Sequence, residues 1–149
     1  MEFPELPTTD KGLSFQTHDT DDPGINEGLL FQWLISIIQK EGKTLHHISY
    51  IFCSDDFLLD LNIKHLNHDT LTDILTFPLD ESGPIHAEIY ISTGRVKENA
   101  TKFGKTYTEE LHRVIAHGIL HLCGYDDHED HDVKLMREKE DFYLSLLPV

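Results

Sequence analysis

Positive charge is what this chain has least of: 12 Lys and Arg stand against 27 Asp and Glu, for a formal net charge of −15. Phosphate binding is driven largely by Lys and Arg displacing counterions, so this balance argues against tight, non-specific binding of nucleic acid over the whole surface. Cysteine is scarce too. The two present, Cys53 and Cys123, are too few for a disulfide framework, and each lies in an apolar stretch where a reduced thiol behaves as a small hydrophobe. No apolar run approaches the roughly 18 residues of a membrane span, and no basic, apolar, small-residue leader opens the chain; the expectation is a cytoplasmic protein without a membrane partner. Repeats, linkers and low-complexity segments are missing as well. A length of 149 residues lies inside the ordinary single-domain range, so residues 1–149 are expected to form one domain.

What is present reads as alternating short elements. Residues 1–10 are expected to be extended or poorly ordered, and LSFQT to form a first strand. From Ile25 to Glu41, apolar residues recur at Leu30, Trp33, Leu34, Ile37 and Ile38, with Pro23 before and Gly42 after, which predicts an amphipathic helix with Trp33 in the core. HISYIFCS is rich in β-formers; Ser54 then caps a helix running to about His65 with Asp55 and Asp56 in its first turn. LNHDTLTDILTFPLD has no helical period and predicts a loop followed by a strand over 73–77, ending before Pro78. HAEIYIS alternates as a strand, Ser92 opens a helix to Phe103 with Gly104 as its stop, and Thr106 with Glu109 stands in capping-box spacing ahead of another helix. A last helix is expected from about Asp132 to Leu147, with Val133, Met136, Tyr143 and Leu147 toward a core. The class is α+β: about four short strands in one mixed sheet packed with about five helices, in the order βαββαα after the first segment.

Residues 117–127, HGILHLCGYDD, carry the chemistry. Side chains at i and i+4 stack on one face of a helix, so His117 and His121 can close on one ion from the same wall. With 11 His in the chain, composition alone yields roughly one such pair by chance, so the pair needs its context. That context is apolar packing at Val114, Ile115, Leu120 and Leu122, then Gly124, which permits a sharp exit from the helix, then Asp127 as an oxygen ligand. Two imidazoles and one oxygen suit zinc better than magnesium or calcium, which prefer oxygen cages. Cys123 points to another face of the helix and is not expected to be a ligand. His46, His47, His86 and His112 are read as surface or satisfied-core histidines.

The few basic residues are unevenly placed. Arg95, Lys97, Lys102, Lys105 and Arg113 face only Glu98, Glu109 and Glu110 between residues 95 and 113, a stripe that either leads substrate to the site or is a solvated helix face.

With the motif in view, the chain resembles the YbeY family of bacterial rRNA maturation endoribonucleases, whose signature looks like HGxLHLxGYDH. LNIKHLNHDTLTDILTFP resembles the family's LN…TDVLSFP segment, and AEIYIS followed by RVKENA is similar to its GDI-type strand and next helix; the blocks fall in family order over about residues 58 to 146. Two positions depart. The family's usual third ligand is a His three residues after the motif glycine, which here is Asp127, with His128 one step beyond. Where many relatives carry Arg after the LN, this chain has Leu66, so Lys64 or a residue of the basic stripe would have to supply that phosphate contact.

The resemblance implies a metal-dependent endoribonuclease that prefers single strands, acts in rRNA maturation near the 3′ end of the small-subunit RNA and in ribosome quality control, and meets the small subunit and its associated proteins. One Zn2+ per chain is expected on His117, His121 and Asp127. His128 is the alternative third ligand and His131 a further competitor; imidazole is the commoner zinc ligand, but the register of the resembling motif favours Asp127. His117 and His121 would then act through a metal-bound water of lowered pKa, while Arg95, Lys97, Lys102 and Arg113 would bind substrate. Asp73 and Glu88 follow as second-layer or cleft groups on resemblance alone. Gly118 occupies the position at which zinc proteases of the HExxH type carry their Glu base, which makes proteolysis the weaker alternative; an assembly factor with a structural metal is the other.

Overall fold

The computed structural model describes residues 12–66 and 72–147. The expectation for residues 1–10, and part of the loop expected before residue 73, lie outside the described residues. The chain runs β1 (Leu13–His18), α1 (Glu27–Lys40), β2 (Leu45–Cys53), α2 (Asp55–Leu66), β3 (Ile74–Asp80), β4 (Ile85–Ser92), α3 (Thr93–Phe103), α4 (Tyr107–Leu122) and α5 (Asp130–Ser145). The α+β class with one four-stranded mixed sheet and five helices is as expected. The expected order is one helix short at its end, because from β2 onward the chain runs βαββααα.

The sheet order is β1-β2-β4-β3. β1, β2 and β4 are parallel, while β3 returns antiparallel to β4 at the edge. Parallel strands are covered on both faces, which is why the second half of β2 reads as a continuous apolar run. β3 extends through Pro78, three residues beyond the predicted end at 77. The edge explains this: a proline lacks only the N–H that an edge strand can turn away from its neighbour, and a register irregularity follows between Pro78 and Asp80.

The main core joins Leu30, Trp33, Leu34 and Ile37 of α1, alternate residues of β2 and β4, and Leu111, Ile115 and Ile119 of α4. A smaller cluster of Cys53, Leu58 and Leu75 lies beneath α2. Polar groups inside are satisfied: the Tyr50 hydroxyl donates to the Ile115 carbonyl at 2.9 Å, and the Trp33 indole N–H donates to the Tyr143 carbonyl at 2.8 Å. The second bond pins α5 to α1. Met136 and Tyr143 face inward on α5, whereas Val133, expected in the core, is 46% exposed on the first turn of a helix that begins two residues earlier than predicted.

α4 carries the capping box as predicted, with the Glu109 N–H donating to the Thr106 hydroxyl and the Thr106 N–H donating to the Glu109 carboxylate. Its close approach to the sheet depends on Gly118. A Cβ there would stand 3.0 Å from Ile74 Cδ1 and 3.2 Å from Ile89 Cδ1, so the helix backbone itself packs on β3 and β4. Its histidine-bearing face is thereby fixed at the edge of the sheet.

Candidate metal and RNA site

α4 presents His117 and His121 to a hollow of about 490 Å³ whose other walls include Asp73 before β3, Asn99 of α3, Asp127 and His128 of the loop after α4, and Glu140 of α5. Gly124 takes a φ of 111° and turns the chain back toward the histidines.

Each imidazole is oriented from behind. His117 Nδ1 lies 2.7 Å from Glu140 Oε2, and His121 Nδ1 lies 3.2 Å from the Tyr125 carbonyl oxygen. Both partners are acceptors, so each Nδ1 carries the proton and each Nε2 keeps its lone pair. His117 Nε2 then faces Asp127 Oδ2 at 3.2 Å. Two lone-pair atoms facing each other need a proton or a cation between them. Ligand atoms about 2.0–2.1 Å from a tetrahedral zinc lie roughly 3.3 Å apart, so this pair has the spacing of two corners of such a site. Among the described residues no group of three His, Cys, Asp or Glu side chains is drawn together tightly enough to hold an ion, so His121, the third member of the set, would have to close further on the His117–Asp127 pair.

The field at this point favours positive charge. Burial alone would lower the His117 pKa, but the Glu140 hydrogen bond and the charges of Glu140, Asp127 and Asp73 raise it above the ordinary value. Burial raises Asp73, against the opposing effects of His117 and Asn99. Burial and the Asp73 charge likewise raise Glu110, which is almost fully enclosed one helical turn before Val114. Cys123 is buried and its thiol is pushed up to about 11 by desolvation, which agrees with its reading as a core residue.

The other expected residues separate into groups. Asp127 and His128 both line the hollow, and His131 is 79% exposed on α5 beside Asp132. Arg113 lines it as well but is engaged by acids from outside the stripe, at 2.7 Å from Glu140 and 2.5 Å from Asp141. Arg95 and Lys102 line an adjoining hollow that shares Thr72, Asp73 and Asn99 with the first. Arg95 also pairs with Asp55 at 3.9 Å and with Glu98. Lys97 turns to the Tyr107 ring and lines neither hollow, so the five basic residues do not form one stripe. Lys64 pairs with Asp60 at 3.0 Å, and Glu88 accepts the Tyr90 hydroxyl at 3.0 Å on β4, outside both hollows.

Glu140, Glu41 and Glu110 are acids whose place at the site the sequence reading missed. Glu41 follows α1 and accepts hydrogen bonds from Tyr125 at 2.8 Å and Tyr143 at 2.5 Å, tying the loop after α4 to α1 and α5. Glu140 had a signal. Met136, Glu140, Tyr143 and Leu147 are spaced i, i+4, i+7 and i+11, so a carboxylate stands on the core-facing stripe, where it requires a partner.

A family model described as Endoribonuclease YbeY matches residues 14–147. A relative from Flavobacterium psychrophilum named Endoribonuclease YbeY is 50% identical over 117 residues, covering 78% of this chain and 84% of the relative. Another of that name, from Parabacteroides distasonis, is 40% identical over 136 residues, covering 91% of this chain and 96% of the relative. Among solved structures, a solution structure from Thermotoga maritima matches with a TM-score of 0.62 at 37% identity, covering 89% of this chain and 86% of that one.

Proposed function

The chain belongs to the YbeY endoribonuclease family, and on that premise we propose that it is a metal-dependent endoribonuclease that cuts single-stranded RNA. Its substrate is ribosomal RNA, near the 3′ end of the small-subunit RNA, and its setting is rRNA maturation and ribosome quality control beside the small subunit and its proteins. The observation that carries the metal is the donor set: two imidazoles with Nδ1 held from behind, and an Asp127 oxygen 3.2 Å from His117 Nε2. His117, His121 and Asp127, with His128 as alternative, would hold one Zn2+ per chain. When bound, the ion supplies Lewis-acid stabilisation of charge developing at the phosphoryl group.

The chain's own groups supply the rest. Arg95 and Lys102 stand beside the cleft to draw in phosphates, and Arg113, locked between Glu140 and Asp141, is a fixed cation in its wall. Asp73 and Glu110 are enclosed carboxylates with raised pKa facing the same space, suited to taking a proton from the attacking hydroxyl or water. Proteolysis is disfavoured because a Glu at 118 would point at Ile74 and Ile89, not at substrate.

Incubating the protein with single-stranded RNA and with denatured protein, each with and without chelator, tests the reading. Cleavage of RNA alone, abolished by chelator, is expected; chelator-insensitive RNA cleavage, or cleavage of protein, contradicts it. The net charge of −15 favours a second role, binding basic ribosomal proteins as an assembly factor with a structural metal. That role is supported if a variant without metal ligands still restores rRNA processing in cells.

A further inference from the structure

Phe103 closes α3 with half its surface in water, at 53% exposure. Single exposed apolar side chains are ordinary, so its position has to decide its meaning. The ring lines the same hollow as His117 and Asp127, whereas other exposed large apolar residues such as Phe142 and Leu79 line neither that hollow nor its neighbour. Asn99, one turn earlier on the same helix face, lines both.

Two cations stand on its side toward the adjoining hollow. Lys102 Nζ stands 5.9 Å from the ring centroid, and Lys102 and Arg95 line the adjoining hollow. The backbone that carries the ring is fixed: Gly104 takes φ 69°, ψ 33°, its N–H donates to the carbonyls of Ala100 and Thr101, and the Lys105 N–H donates to the Ala100 carbonyl at 2.8 Å. An exposed ring held on a rigid helix end, beside cations and at the mouth of a cleft, has the parts of a single-strand binding platform, in which bases stack and lysines follow the backbone.

Resting on the endoribonuclease reading, we propose that Phe103 is a base-stacking subsite: one unpaired base of the RNA lies on its ring while Lys102 and Arg95 hold the adjoining phosphates, setting where the strand crosses His117. A paired base inside a duplex has both faces covered by its neighbours, so this subsite accepts only unpaired nucleotides.

The probe is a fluorescein-labelled oligouridine of about eight nucleotides with 2′-O-methyl sugars, which blocks attack by the 2′-oxygen, and the readout is the anisotropy-derived Kd. Phe103→Ala is expected to weaken binding about tenfold, Phe103→Leu nearly as much, and Phe103→Trp to restore it. The emission of the Phe103→Trp protein should be partly quenched on binding, since Trp33 is buried in the core and contributes a background that RNA at the cleft does not reach. Replacing one nucleotide at a time by an abasic unit should cost the parent protein about tenfold at one position and cost Phe103→Ala nothing further there. An unchanged Kd for Phe103→Ala, or a Phe103→Leu protein that binds as tightly as the parent, overturns the stacking subsite and leaves the nuclease reading standing. Failure of the parent protein itself to bind the oligonucleotide overturns both.

Discussion

Glu140 sets the chemistry of His117. One oxygen of its carboxylate accepts a hydrogen bond from the His117 Nδ1–H at 2.7 Å and the other is neutralised by Arg113 at 2.7 Å, so the imidazole is held in one tautomer with Nε2 directed at the cleft. Removing the side chain would strand a half-buried Arg113, but Glu140→Gln keeps the shape and an acceptor while deleting the charge. We predict that Glu140→Gln lowers zinc affinity by about 10–100-fold in a competitive chelator titration, with the far-UV spectrum unchanged. An unaltered affinity would reduce Glu140 to a structural partner of Arg113. His117, His121 and Asp127 were legible as a spacing because one helix and one glycine turn place them, and local geometry is written locally. Glu140 lies 23 residues beyond His117, and Glu41 84 residues before Tyr125. Such contacts are created by the packing of α5 and α1, which no short window contains.

At the scale of elements, amphipathic periods and caps were enough to find five helices and four strands, and the misses have local causes. Pro78 suggested a strand end but sits on an edge strand, where it is tolerated. Val133 matched the apolar period of α5 but falls in its exposed first turn. The basic residues of the stripe divide between faces because residues 95, 99, 102 and 103 share one side of α3 while Lys97 lies on another. Gly118 was readable as a missing base but not as a contact, since only the sheet beneath shows what it touches. Gly118→Ala gains about 1 kcal/mol of helix propensity against crowding at Ile74 and Ile89, and the two should nearly cancel. Gly118→Glu buries a charge against those isoleucines; we expect a loss of at least about 3 kcal/mol in urea-unfolding free energy, and a loss under about 1 kcal/mol would mean α4 does not pack as described.

Across the whole molecule, a surface of net charge −15 repels RNA at a distance, so association must rest on the cations concentrated beside the cleft. Arg95→Glu combined with Lys102→Glu should weaken RNA binding and flatten its salt dependence while leaving metal content unchanged, as followed by anisotropy across a salt series. Unchanged binding would move the RNA path away from α3. Among the described residues no helix is long and apolar enough to cross a membrane. If α4 and the turn after Gly124 build the proposed metal site, tag-free protein carries the ion, and mass spectrometry reads its content. About one zinc per chain is expected, lost in the His117→Ala, His121→Ala double variant and strongly reduced in Asp127→Ala but not in His131→Ala. A larger loss in His128→Ala than in Asp127→Ala would shift the third ligand by one residue, and full zinc retained by the double-histidine variant would contradict the site.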